Sequence, residues 1–147
     1  MSGQYVVEIR DLHFSYENRK ILDGINLTIP RGKKVAVLGS SGCGKSTLLK
    51  LIMGQLRPQS GQVLVCGEDV HALDNDGLYQ LRREMGVMFQ VSGLFSDLST
   101  YENIAFPMRE HTDLPEEMIR DLVLMKLHAV GLRGAHPDRF ILQASGP

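Results

Sequence analysis

Apolar positions change their spacing several times along the chain, and each change marks an element. Val7, Ile9, Leu12, Phe14 and Tyr16 form an apolar and aromatic set that alternates in part over residues 5–16. Ile25, Leu27 and Ile29 alternate cleanly with Asn26 and Thr28, up to the turn Pro30-Arg31-Gly32. Such period-two alternation predicts antiparallel strands with one buried face. Val35-Ala36-Val37-Leu38 is then apolar without a break, as a strand covered on both faces is, and predicts a parallel strand over 34–38. Leu48, Leu49, Leu51 and Ile52 return at helical spacing. They predict a helix over 45–53, with Gly54 suited to its C-cap.

A second turn from Pro58 to Gly61 precedes a strand over 62–66, and Gly67-Glu68-Asp69 leads out of it. Asp74 or Asp76 is placed to cap a helix over 77–84. Gly86-Val87-Met88-Phe89 predicts a short apolar strand that ends at Gln90, and residues 91–135 show no strand pattern. Thr100 to Ala105 predicts a short helix. Pro115, followed by Glu116 and Glu117, opens a longer one. In it Met118, Leu122, Met125, Ala129 and Leu132 keep three–four spacing, and Gly131 or Gly134 ends the run. Ile119, Val123 and Val130 widen the stripe beyond one packing face. A buried core helix is the plainer reading and a partner-facing helix the sharper one.

The chemistry lies between the strand at 34–38 and the helix after it. Gly39-Ser40-Ser41-Gly42-Cys43-Gly44-Lys45-Ser46-Thr47 is a complete phosphate-binding loop, Gly-x4-Gly-Lys-Ser. Glycines at 39, 42 and 44 allow backbone angles that a side chain forbids and let the main chain approach phosphate. Successive N–H groups then form an anion nest, and the following helix adds its positive end. Lys45 is expected to reach the β- and γ-phosphates, Ser46 to hold Mg²⁺ through its hydroxyl, and Thr47 to add phosphate contacts. The implied ligand is a nucleoside triphosphate with magnesium.

Composition narrows the partners. The 147 residues make one domain or part of one, and 16 basic against 17 acidic residues argue for no nucleic-acid or anionic-membrane surface. Uncharged apolar runs fall far short of the ~18 residues of a membrane span, and Glu8, Arg10 and Asp11 break any leader pattern. Two cysteines, Cys43 and Cys66, make neither a disulfide framework nor a metal cluster, which fits a reduced, cytosolic protein. The five histidines are scattered and suggest no metal site, and Arg82-Arg83 reads as a solvated helix face.

Tyr16 in Phe14-Ser15-Tyr16, the loop at 39–47, the turn from Pro58 to Gly61, a strand ending in Gln90 and a helical segment after it resemble the nucleotide-binding domain of ABC transporters, over about residues 5–135. The resemblance implies an α/β P-loop NTPase fold of ABC type. This has an antiparallel β subdomain, a parallel-sheet core that is incomplete in this chain, and a helical subdomain. It places the nucleotide-binding core at 1–90, the helical subdomain at 91–135 and an off-pattern tail at 136–147. It further implies that Tyr16 stacks on adenine, that Gln90 contacts Mg²⁺ and the attacking water, and that Lys45 and Gln90 carry the chemistry. ATP and Mg²⁺ are the implied cofactors, with Ser46 and Gln90 at the metal. The implied partners are a transmembrane permease subunit and a second nucleotide-binding domain in a homodimer. The implied place is peripheral, on the cytoplasmic face of the inner membrane, without direct insertion. Asp97, Glu102 and Glu110 are then interface candidates. Within the family, Tyr101 to Thr112 and Met125 to Ala135 look like the ATPase of Mla-type phospholipid transporters.

The chain also departs from the family. The signature region reads Leu142-Gln143-Ala144-Ser145-Gly146-Pro147 with the wrong spacing, and the catalytic Glu, the second magnesium carboxylate and the switch His do not occur. ATP hydrolysis therefore belongs to the family, and ATP binding without turnover, or a non-enzymatic remnant, is open for this chain. A small-molecule kinase or GTPase fits less well, because no acceptor-site residues and no Asn-Lys-x-Asp appear; a soluble ABC protein of repair or translation stays open. With later strands missing, the sheet edge beside 34–38 is expected to be open, apolar and prone to aggregation. The loss of pattern after Ala135 predicts a frameshifted or truncated gene product. Translating the coding DNA beyond codon 147 in all three frames should find the signature in a shifted frame; DNA with no such codons in any frame would overturn that expectation.

Overall fold

The computed structural model describes residues 4–89 and 93–132. They divide into two units, residues 1–86 and 87–147. The first holds a four-stranded sheet in the order β2-β1-β3-β4, from β1 (Tyr5–Tyr16), β2 (Arg19–Pro30), β3 (Ser60–Val65) and β4 (Glu68–Asp69). Every pairing in it is antiparallel. Two helices complete the unit, α1 (Lys45–Ile52) and α2 (Asn75–Arg83).

The partial alternation of β1 has a local cause. Asp11 takes φ +46, a left-handed conformation, and the register with β2 shifts between Ile9 and Leu12. This bulge moves the inward phase by one residue, so Ile9, Leu12 and Phe14 are all buried although they do not share one period. The Asp11 N–H donates to Asn26 Oδ1 at 2.9 Å. His13 lies over the bulge, with Nε2 3.1 Å from Asp11 Oδ1 and Nδ1 3.1 Å from Asp23 Oδ1. Opposite it, Gly61 has φ +91, and a β-carbon there would sit 2.3 Å from the Asp11 carbonyl oxygen. Gly61 thus serves a close approach within β3 rather than only ending a turn.

α1 and α2 close the core. Ile9, Leu12, Leu51, Val63, Val65, Val70 and Leu81 belong to one buried cluster with Phe14, Leu22 and Leu48. Asp74 caps α2, its Oδ1 accepting from the Gly77 N–H at 2.8 Å, which settles the choice between Asp74 and Asp76. Arg82 is exposed, as read from the sequence, but its guanidinium is engaged. Its Nε donates to Met53 O at 3.0 Å and its Nη2 to Gly54 O at 3.2 Å.

Two predicted strands are not strands here. Residues 33–40 carry no regular structure, and Val35, Val37 and Leu38 are exposed, Leu38 by 89%. Residues 86–89 are likewise irregular, with Met88 96% exposed. A parallel strand exists only through its hydrogen-bonded neighbours, and among the described residues neither segment has one.

The second unit contains α3 (Thr100–His111) and α4 (Glu116–Ala129). α3 runs well past the predicted end at Ala105 and carries Pro107 inside it. Ser99 caps it, its Oγ accepting from the Glu102 N–H at 3.1 Å. Asn103 stitches the preceding loop to the helix: its Nδ2 donates to the carbonyls of Phe95 and Ser99, both at 3.0 Å, and its Oδ1 accepts from the Phe95 N–H at 2.8 Å. Between the helices Ala105, Ile119, Val123 and Leu127 are buried, with Tyr101, Ile104, Met108 and Leu114 packed around them. Of the stripe read from the sequence, Met118, Met125 and Leu132 are half-exposed, as Val130 is more fully. The buried face is the adjacent one. Arg109 ties the helices together, with Nη1 2.6 Å from Glu102 Oε2 and Nε 3.1 Å from Glu116 Oε2; Nη2 also bonds Glu116 Oε1. Hydrogen bonding to Arg109, then to Tyr101, holds the Glu116 carboxyl below its usual range.

A Gly61→Ala substitution is expected to lower unfolding stability by about 2–4 kcal/mol, since it meets backbone atoms and a left-handed φ together. Gly67→Ala, at φ +92 but with nothing within 4 Å, should cost only about 1 kcal/mol. Urea unfolding of both variants checks the difference; equal losses would remove the close approach as the cause.

Candidate nucleotide-binding site

The loop 39–47 hangs between irregular residues 33–40 and α1, and its own residues make its shape. Gly42 has φ +78 and Gly44 φ +103, so two of the three glycines use conformations that other residues avoid. The third is needed for space: a β-carbon on Gly39 would lie 2.5 Å from Cys43 Sγ. The Cys43 N–H donates to Ser40 O at 3.4 Å, and the Leu48 N–H donates to Gly44 O at 2.8 Å, which starts α1.

Lys45 folds back along the loop. Its Nζ donates to Gly39 O and to Ser40 O, each at 2.8 Å, and lies 3.6 Å from Cys43 Sγ. The ammonium is thus held at the loop by neutral carbonyls. The start of α1 has Gly44 as N-cap with no side-chain cap, and no acidic residue in the first turn. Its first N–H groups therefore face no competing carboxylate, which suits an incoming anion. Ser46 is exposed, whereas Thr47 is buried. This donor set fits a polyphosphate: backbone N–H groups, one ammonium and a hydroxyl, with room made by three glycines. The Ser46 hydroxyl is an oxygen donor of the kind that magnesium accepts.

β2 supports the loop from below. A β-carbon on Gly44 would meet Ile21 Cγ2 at 3.0 Å and Leu22 Cδ2 at 3.2 Å. Leu22 pairs in register with Phe14, and the Tyr16 ring rests edge-on against Phe14 with centroids 4.8 Å apart. Tyr16 itself is 43% exposed at the end of β1. A continuous apolar path thus links the aromatic to the loop, and its middle members, Ile21 and Leu22, were not singled out from the sequence. Only the positive φ now seen at Gly44 makes them visible. A cavity of 390 Å³ opens beside the loop, lined by Ile25, Leu27, Val35, Val37, Leu38 and Leu48 with Cys43, Gly44 and Lys45. Its lining is mainly apolar and offers phosphate little; it is the uncovered flank of residues 35–38.

Of the other expected site residues, Gln90 lies outside the described residues, as does the tail at 136–147. Glu102 is engaged by Arg109, while Asp97 and Glu110 are exposed. Among the described residues no helix is long and apolar enough to cross a membrane.

The chain is similar to known proteins. The sequence model of the ABC transporter family matches residues 22–144. The chain is 53% identical over 133 residues to the intermembrane phospholipid transport system ATP-binding protein MlaF of Haemophilus influenzae, covering 90% of this chain and 50% of that protein. It is 48% identical to the protein of the same description from Escherichia coli K12, covering 88% of this chain and 48% of that protein. The chain spans about half the length of these curated relatives. Among solved structures, the dimeric bacterial ABC transporter cassette MJ0796 superposes with a TM-score of 0.85 at 28% identity, covering 95% of this chain and 63% of that one. CbiO1 from Clostridium perfringens, described as part of the ABC transporter complex cbiONQ, gives 0.77 at 33% identity, covering 92% and 53%.

Replacing Tyr16 by alanine should weaken ATP binding by about 1–3 kcal/mol, the range for a base stacked on an aromatic ring. Titration with a fluorescent ATP analogue reads this directly; an unchanged affinity would remove Tyr16 from the site.

Proposed function

This chain belongs to the ABC transporter family, and on that premise we propose that it is the ATP- and magnesium-binding part of an ATPase that energises phospholipid transport across a membrane. The observation that carries the reading is the loop 39–47, with its left-handed glycines, the Lys45 ammonium held at the loop carbonyls and an uncapped α1 start. The cargo is argued from the phospholipid transport relatives, at 53% and 48% identity.

Within this reading the loop N–H groups and Thr47 bind the phosphates, and Lys45 leaves its carbonyl partners for the β- and γ-phosphate oxygens. Ser46 holds magnesium, and Tyr16 covers the adenine from the rim. Gln90 contributes to the metal and the attacking water, a role that rests on family resemblance alone. Bound magnesium supplies charge neutralisation at the phosphate oxygens. Phosphoryl transfer to water also needs a positioned base, and the reading proposed for this chain is of nucleotide binding. A permease subunit and a second nucleotide-binding domain complete the assembly, a reading supported by the dimeric cassette and the transporter-complex member among its structural neighbours. Such an assembly sits on the cytoplasmic face of the inner membrane.

The test is equilibrium binding of a fluorescent ATP analogue with magnesium, for the wild type and Lys45→Ala. Binding should weaken by about tenfold or more when the ammonium is lost, given the strength of charged hydrogen bonds. Equal binding by the two proteins would overturn the nucleotide reading.

A further inference from the structure

The end of α1 opposite the phosphate loop is built with unusual directionality. Gly54, at φ +68, follows the last turn. The Gln55 N–H donates to Lys50 O at 2.8 Å and the Gly54 N–H to Leu51 O at 3.1 Å, a complete Schellman motif. Two carbonyls just past α1, those of Met53 and Gly54, are taken by one guanidinium: Arg82 Nε at 3.0 Å and Nη2 at 3.2 Å. Both donors lie on the same edge of a planar group, so the pair of bonds fixes direction as well as distance. The positive charge also sits where the helix dipole favours it.

Arg82 is itself well anchored. α2 begins at the Asp74 cap, buries Leu81 and lays Leu78 against Gly54, where a β-carbon would meet Leu78 Cδ1 at 2.8 Å. α1 has eight residues and is about 12 Å long, too short to hold its own geometry. Burial of Leu48 and Leu51 sets which face turns inward, but apolar contact is non-directional and holds position along the axis poorly. The N-terminal end has no side-chain cap. Directional hold on this helix therefore comes from its far end.

We propose that Arg82 is a positioning residue for phosphate binding: by gripping the carbonyls of Met53 and Gly54 at the C-terminal cap of α1, it sets where the helix start and its N–H groups stand in the loop. This deepens the nucleotide reading and rests on it. Removing the grip lets α1 slip and fray, and the phosphates lose aligned donors while the adenine platform at Tyr16 is untouched.

The experiment compares wild type, Arg82→Met, Arg82→Lys and Lys45→Ala by competition of ATP and of AMP against a fluorescent ATP analogue, below the melting temperature of every protein. Arg82→Met keeps an apolar stem and loses the donors. ATP affinity should fall about three- to tenfold, with AMP affinity little changed, so the ATP-to-AMP ratio drops. Arg82→Lys keeps the charge without the fork and should recover part of that ratio; if Arg82→Met does not fold, the ratio for Arg82→Lys, lower than wild type, decides. An unchanged ratio overturns the proposal, because a merely structural residue weakens both ligands in proportion to the unfolded fraction. Failure of the underlying reading looks different: wild type then binds no more ATP than Lys45→Ala.

Discussion

Burial of one face of α1 against the β-sheet holds the phosphate loop in place. A loop rich in glycine has few side chains with which to fix itself, and its internal bonds are few: Cys43 to Ser40, and the Lys45 ammonium to two carbonyls. Its shape is imposed from outside. Leu51 is fully buried and Leu48 nearly so, in one core with Ile9, Leu12 and Val63, and Thr47 beside them is buried too. Each fully buried leucine contributes about 1.5–3 kcal/mol relative to exposure. From the other side Ile21 and Leu22 lie close against Gly44, where a β-carbon would meet them at 3.0 and 3.2 Å. Apolar packing thus sets which face of the loop backbone and α1 turns inward, while the cap held by Arg82 fixes the helix along its axis.

Local rules made much of this legible. The loop motif stands complete in the sequence, the Asp74 cap and the Gly54 terminus follow from side-chain and φ requirements, and β2 alternates cleanly. What the sequence concealed depends on neighbours. The run Val35 to Leu38 is apolar enough for a buried strand, yet strand formation needs a partner to bond to, and Leu38 stands almost fully exposed. In α4 apolar residues cover more than half the circumference, so periodicity offers several stripes; Ile119, Val123 and Leu127 win, and Leu127 was not in the expected set. The Asp11 bulge blurs the alternation of β1 because one left-handed residue changes the phase. Arg82 looked like any charged surface residue, since nothing in its own surroundings in sequence reveals two carbonyls near position 53.

The second unit solves a different problem. Four small or medium side chains make its buried centre, little area for two helices. Polar contacts compensate in direction rather than in bulk. Arg109 reaches Glu102 on its own helix and Glu116 on the next, while Tyr101 donates to the same Glu116 at 2.9 Å. Exposed ion pairs are individually worth little, but a planar guanidinium shared by two carboxylates fixes the register of one helix on the other. The half-exposed side chains Met118 and Met125 then form an apolar face that this register presents outward.

The route of the chain through the sheet adds a kinetic dimension. β1 and β2 are joined by a tight hairpin, so their pairing closes a short loop. β3 must return to β1 from far along the chain, bringing Val65 beside Val7. The whole phosphate-binding excursion, with α1, is enclosed between these two events. Closing so long a loop carries an entropic cost that grows only slowly with length, but it makes this pairing non-local and slow relative to the hairpin. Val63, fully buried in β3, belongs to the same cluster as Leu51 of α1. The apolar platform beneath the loop is therefore complete only once β3 pairs with β1, so the loop's support comes from chain that follows it in sequence.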